Sequence, residues 1–137
     1  MRYALLDNYR DGVLLLARIL LMALFVLFGW SKLTDFAGTT AYMAAEGLPL
    51  PAAVAVVVIV MEFFVGLAIL LGVWTRPLAL LMVLYTLGTA LVGHHYWSMA
   101  GADRMANMIN FYKNLSIAGG LLLLCLTGPG RYSIDRR

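Results

Sequence analysis

The sequence has little cysteine and little charge, and each shortage excludes a class of protein. Cys125 is the single cysteine among 137 residues, so the chain forms no internal disulfide and has no redox-active cysteine pair. Only 12% of the residues are charged, and the positive charges are scattered along the chain. Without a basic patch, nucleic acid is a poor partner. No iron–sulfur, dinucleotide-binding, P-loop or c-type haem motif occurs.

Apolar side chains make up most of the sequence. They account for 63% of the residues, and the mean hydropathy is +0.88. A soluble domain of this length has too large a surface for its volume to bury so many apolar side chains. Lipid must therefore take the place of a core. The composition predicts a single transmembrane domain over residues 1–137 in contact with the lipid bilayer.

Four apolar segments are spaced along the chain, at about residues 13–30, 50–72, 77–92 and 107–126. In a bilayer, backbone N–H and C=O groups must be satisfied within the protein, and the segments lack the alternation of barrel strands. The segments are therefore predicted to be helices. The expected fold class is all-α, an integral membrane four-helix bundle.

The distribution of Lys and Arg predicts the orientation of the bundle. An even number of spans places both termini on one side of the membrane, and cytoplasmic segments carry an excess of Lys and Arg. The side with the termini has Arg2, Arg10, Arg76, Arg131, Arg136 and Arg137, whereas the other side has Lys32 and Arg104. Both termini are therefore expected in the cytoplasm.

Glu62 is the only charged residue in the apolar run from Leu50 to Gly72. A carboxyl group near the middle of a spanning helix costs roughly 3 kcal/mol or more on insertion scales. The residue is therefore a candidate for a functional site. Two interpretations stay open: a buried, paired strut between helices, or a group that handles protons or binds a ligand.

Two cations also fall within predicted spans, Arg18 in the first helix and Lys113 in the fourth. Arg18 either extends back to the membrane surface or turns inward to meet Glu62 or an anionic ligand. Because a charge in hydrocarbon is costly, Arg18, Glu62 and Lys113 are all expected to face the bundle interior. Gly66 follows Glu62 by one turn and predicts close helix packing on that side.

His94 and His95 lie at the outer end of the third helix. Adjacent residues on a helix point about 100° apart, so the two rings cannot ligate one metal together. A haem would need a histidine from elsewhere, and haem or metal binding is therefore disfavoured. The alternatives are an ordinary polar cap and a proton carrier near Glu62, Asp103 or Lys113.

Short motifs follow one another in order through nearly the whole chain. They are Arg18, Gly29-Trp30-Ser31-Lys32-Leu33, Gly47-Leu48-Pro49, Glu62 with Gly66, Leu71-Gly72, Thr75-Arg76, His94, Tyr112-Lys113-Asn114-Leu115, Gly119-Gly120 and the tail from Gly128 to Asp135. This ordered set resembles the DoxX family of small four-helix proteins of the bacterial inner membrane. The resemblance implies multi-pass insertion in that membrane.

The resemblance also implies a redox-associated role. Family members have been linked to a thiosulfate:quinone oxidoreductase and to an oxidoreductase complex with superoxide dismutase and a sulfurtransferase. The resemblance implies quinone or a similar apolar ligand and redox partner proteins, and whether the chain forms a homo-oligomer stays open. The alternative is a non-catalytic membrane anchor or assembly factor, and enzymatic turnover stays open. Candidate ligand or proton-handling residues are Glu62, Arg18, Lys113, His94 and Asn114, and candidate structural residues are Gly29, Lys32, Gly66 and Arg76.

Overall fold

The computed structural model of the chain describes residues 5–136. Two of the arginines behind the predicted orientation, Arg2 and Arg137, lie outside this range. The described residues form helices and short connections without any strand, which confirms the all-α fold class. Four helices are long and apolar enough to cross a membrane, as predicted.

Four long helices and one short helix follow one another in the chain. Their bounds are α1 Arg10–Thr34, α2 Phe36–Ala45, α3 Pro51–Leu71, α4 Thr75–Gly93 and α5 Gly101–Thr127. Single 3-10 turns at Asp7–Tyr9 and Tyr96–Ser98 precede α1 and connect α4 to α5.

The first and fourth spanning helices are longer than predicted. α1 continues past Trp30 to Thr34, and α5 begins at Gly101 rather than near Asn107. Hydropathy marks the hydrocarbon boundary, but a helix satisfies its backbone equally well in the polar interface beyond it. The extra turn of α1 determines where Lys32 lies.

The short helix α2 lies in the 31–49 connection, which hydropathy had marked only as a segment near the membrane surface. Asp35 caps the helix by accepting a hydrogen bond from Gly38 N at 3.0 Å. Met43 of α2 packs against Ala55 and Val58 of α3 in a small buried cluster. α2 therefore covers the start of α3.

The middle of α3 is not α-helical. Residues Val60–Val65 form a π-helical segment between the α-helical stretches Pro51–Ile59 and Gly66–Leu71. Glu62 lies in this segment. π-Helical turns are rare, and they are frequent at functional sites.

The core forms where two helix pairs meet, α1 with α3 and α4 with α5. Buried side chains from all four spans contribute to it, including Phe25, Met61, Met82 and Leu121. Large apolar side chains on the outside of the bundle remain exposed, as expected for a surface solvated by acyl chains.

The tail after α5 folds back onto the turn between α3 and α4. Ile134 N donates to Leu71 O at 3.0 Å, and Asp135 N donates to Gly72 O at 3.2 Å. Arg131 N donates to the Asp11 carboxylate near the start of α1 at 3.0 Å. Both ends of the described chain therefore meet at one end of the bundle, which we call the terminal face. The end with α2 and the Tyr96–Ser98 turn is the opposite face.

Candidate functional site

Glu62 forms the centre of a polar cluster inside the bundle. It lies 11 residues after the start of α3 at Pro51, about 16 Å along the helix at 1.5 Å per residue. The Lys32 ammonium donates to Oε2 of Glu62 in an ion pair. The Tyr85 hydroxyl donates to Oε1 at 2.9 Å. We call these three residues the carboxylate triad.

Three helices contribute one residue each to the triad, and glycine lets two of them approach closely. A Cβ atom on Gly29 of α1 would lie 2.5 Å from Phe63 N and 2.9 Å from the Glu62 carbonyl carbon. Only glycine therefore fits where α1 crosses the π-helical segment. Lys32 follows Gly29 by one turn on the same side of α1, so its side chain reaches Glu62. Gly66 is also buried against α1, with Phe25 Cβ 3.4 Å from the position of a Cβ.

The side chains of the triad are mostly buried but remain partly accessible from outside the bundle. The side chain of Glu62 is 13% exposed and that of Lys32 is 30% exposed. Charge-assisted hydrogen bonds of this kind are shorter and stronger than neutral ones. The cluster presents a proton acceptor beside two donors in an apolar setting, and it leaves little net charge buried.

Arg18 is buried and turned inward, as expected, but its hypothesised contact with Glu62 is wrong. Its guanidinium donates to Leu70 O at 3.0 Å, to Ile69 O at 3.5 Å and to Tyr132 O of the tail. The last carbonyls of a helix lack partners within the helix and attract cations. Arg18 thus joins α1, the end of α3 and the tail at the terminal face.

The expectation that Lys113 faces the bundle interior is also wrong. Its side chain is exposed on the outside of α5. Within residues 5–136 it forms no ion pair and no hydrogen bond to another side chain. The ammonium lies near enough to one end of its span to reach polar surroundings.

His94 and Asn114 bridge α4 and α5 rather than joining the triad. His94 Nδ1 lies 2.9 Å from Asn107 Oδ1. Asn114 Nδ2 donates to Thr89 Oγ1 at 3.2 Å and, more weakly, to Thr86 O at 3.4 Å. These contacts give both residues a place in helix packing.

Arg76 and Cys125 lie away from the triad. The Arg76 Nε atom packs close to Gly128, 3.1 Å from where a Cβ would be. Arg76 therefore contributes to the terminal face. Cys125 is a free, half-buried thiol on α5. Among residues 5–136, no three His, Cys, Asp or Glu side chains come together as a metal site.

Sequence reasoning missed two members of the triad. Lys32 was treated as a structural residue outside the membrane because the first helix was expected to end near Trp30. Tyr85 was not considered, although it is the only tyrosine in the third apolar segment. A phenol at membrane depth usually hydrogen-bonds, so its position was an available signal.

Four spanning helices around a carboxylate at membrane depth define a small multi-pass membrane protein. Residues 13–95 match the DoxX family. The chain is 50% identical to the inner membrane protein YphA of Escherichia coli K12 over 137 residues, which are 100% of this chain and 98% of that protein. It is 47% identical to the inner membrane protein YqjF of the same organism over 134 residues, 96% of this chain and 95% of that protein. No solved structure matches significantly.

The chain belongs to the DoxX family. The match covers the first three spanning helices and includes Arg18, Gly29, Lys32 and the whole carboxylate triad. Together with the four spans, the relatives assign the chain to the inner membrane as a multi-pass protein.

Proposed function

We propose that the chain is a redox-associated membrane subunit that binds quinone or a similar apolar ligand at the carboxylate triad. The observation that carries the proposal is the arrangement of Glu62, Lys32 and Tyr85 around a π-helical turn in mid-membrane. Placing a carboxylate there is costly. A functional role would explain why the cost is accepted.

The donors and acceptors of the triad match those of a quinone head group. Quinone carbonyl oxygens accept hydrogen bonds, and the Lys32 ammonium has two N–H groups besides the one that it gives to Glu62. The Tyr85 hydroxyl donates to a quinone oxygen when the ligand replaces its hydrogen bond to Glu62. The Glu62 carboxylate accepts a hydrogen bond from a quinol hydroxyl and is a suitable proton acceptor. Electrons would pass between the quinone and a partner protein, since the sequence has no redox-centre motif of its own.

Aromatic rings beside the triad suit a flat ligand. The Trp30 and Phe63 rings lie 5.5 Å apart between centroids, and Phe63 follows Glu62 directly. Trp30 is 54% exposed. A quinone ring that stacks on this pair would place its oxygens near the triad while its apolar tail stays in lipid.

Quenching of tryptophan fluorescence by decylubiquinone tests the proposal in protein reconstituted in lipid nanodiscs. Saturable quenching is expected in the wild type and is expected to disappear in Trp30→Phe. Tyr85→Phe and Lys32→Gln should each weaken the affinity for decylubiquinone by roughly tenfold, because each removes one hydrogen bond to the quinone head group. Lys113→Gln, a matched lysine outside the triad, should bind as the wild type does. Quenching that does not saturate, or is the same in Tyr85→Phe and Lys32→Gln, contradicts the proposal.

One observation favours the second candidate function, a non-catalytic anchor or assembly factor. Both oxygens of Glu62 already have partners within the chain, so the triad is complete as a strut between α1, α3 and α4. In that case the triad variants should lose stability and leave decylubiquinone without a saturable site.

A further inference from the structure

The exposed face of α5 has a groove that the carboxylate triad does not use. The groove has a volume of about 560 Å³. It is open to the outside of the bundle, and its lining is mostly apolar with one charge. The lining residues are Met108, Ile109, Tyr112, Lys113, Ser116 and Ile117.

Lys113 lies toward the opposite face of the bundle. It precedes the end of α5 at Thr127 by 14 residues, about 21 Å at 1.5 Å per residue, within a hydrocarbon core of about 30 Å. A cluster of aromatic rings lies beside Lys113 toward the opposite face: Phe111 is 5.4 Å from Tyr112, 5.5 Å from Tyr96 and 5.8 Å from Trp97 between centroids. Aromatic rings concentrate at the membrane interface, so the ammonium of Lys113 can reach head groups.

The charge of Lys113 calls for an anion. In a second copy of the chain, the carboxylates toward the opposite face are Asp35, Glu46 and Asp103, which lie outside the apolar segments. The acidic residues of the sequence are Asp7, Asp11, Asp35, Glu46, Glu62, Asp103 and Asp135. Of these, only Glu62 lies in an apolar segment, and it is paired with Lys32. The phosphate of a lipid is available at the interface to every exposed helix.

We propose that this groove binds an anionic phospholipid. The Lys113 ammonium pairs with the phosphate, and in an anionic lipid no choline cation in the head group offsets that negative charge. Tyr112 lies beside Lys113 toward the opposite face and offers a hydroxyl group to the head group, next to the apolar side chains of Met108 and Ile109. Ser116 and Ile117 lie one turn deeper, along the path of an acyl chain. The site does not depend on the proposed function of the triad.

Native mass spectrometry of the delipidated full chain in detergent tests this site. Phosphatidylglycerol and phosphatidylcholine with the same acyl chains are added at equal concentration. The wild type should bind phosphatidylglycerol more tightly, by roughly five- to tenfold for one lysine contact. Lys113→Gln should abolish that preference, and Lys113→Arg should keep it. Arg10→Gln, which removes an exposed cation at the terminal face, should also keep it.

Four results overturn the proposal. The first is equal binding of the two lipids by the wild type, and the second is an unchanged preference in Lys113→Gln. The third is a lipid-free dimer that forms in the wild type and disappears in Lys113→Gln, which would make a second copy the occupant. Inorganic phosphate added in excess should leave phosphatidylglycerol bound, because it cannot replace the acyl contacts. Displacement by phosphate alone would assign the site to the free anion and also overturn the proposal.

Discussion

Glu62 shows how far a single residue can be interpreted from sequence. The cost of a carboxylate in hydrocarbon identifies it without any structure, and it also predicts that a partner exists. The identity of the partners depends on side chains 30 residues before it and 23 residues after it, on α1 and α4. Arg18 and Lys113 were the obvious cations at membrane depth, yet Lys32 forms the pair. The extra turn of α1 beyond the hydropathy boundary made the difference.

A double-mutant cycle should reveal the pairing of Glu62 with Lys32. Glu62→Gln leaves the Lys32 ammonium without a counter-charge, and Lys32→Gln leaves the Glu62 carboxylate without one. Each single variant should lower the free energy of unfolding in detergent by roughly 1–3 kcal/mol. The double variant should lose less than the sum of the two, because neither charge remains. Additive losses would mean that the two side chains do not interact.

The helices that hydropathy defines were predicted well. The helical segments that depend on packing against other helices were predicted poorly. The four spans were located because each must match the bilayer. α2 was missed because a ten-residue helix gains its stability from contact with α3, not from its own sequence. The π-helical segment was missed for a related reason, since it accompanies the close crossing of α1 at Gly29, a contact between residues distant in sequence.

Gly29→Ala should disturb the crossing of α1 and α3. The new methyl group would meet backbone atoms of Glu62 and Phe63, which cannot move aside as a flexible side chain can. Overpacking of this kind typically costs about 1–3 kcal/mol, measured as a lower midpoint of thermal unfolding in detergent. Gly88→Ala is the matched control, because a Cβ there meets nothing within 4 Å. Equal midpoints for the two variants would rule out a close crossing.

Arg18→Gln should destabilise the terminal face. Gln is too short to reach both the end of α3 and the tail, so carbonyl groups at Leu70 and Tyr132 lose their donor. An unsatisfied buried acceptor costs about 1–3 kcal/mol. Arg10→Gln, at an exposed position on the same helix, should leave the unfolding midpoint unchanged. Faster proteolysis of the tail in Arg18→Gln than in Arg10→Gln would show which contact has been lost.

At the scale of the whole molecule, the class of protein predicted from the sequence is confirmed, and the predicted orientation stays a prediction. The fold brings both ends of the described chain to one face, together with Arg10, Arg76 and Arg131. By the positive-inside rule, this terminal face is expected in the cytoplasm. The two relatives support a location in the inner membrane, and their names do not state an orientation.

Reporter fusions should test that orientation directly. Alkaline phosphatase is active only in the periplasm, and green fluorescent protein fused after the last residue reports a cytoplasmic terminus. A phosphatase inserted between Gly101 and Met105 should be active, and a fluorescent protein after Arg137 should fluoresce. The reverse pattern would place the terminal face in the periplasm.

The contact of the tail with Arg18 also has a consequence for the order of folding. Tyr132, Ile134 and Asp135 follow all four spans in the chain, yet their partners are Arg18 of α1 and the turn at Leu71 and Gly72. The guanidinium of Arg18 therefore lacks one of its acceptors until the segment after α5 has been made and has folded back. The terminal face is thus completed only after the synthesis of the four spans.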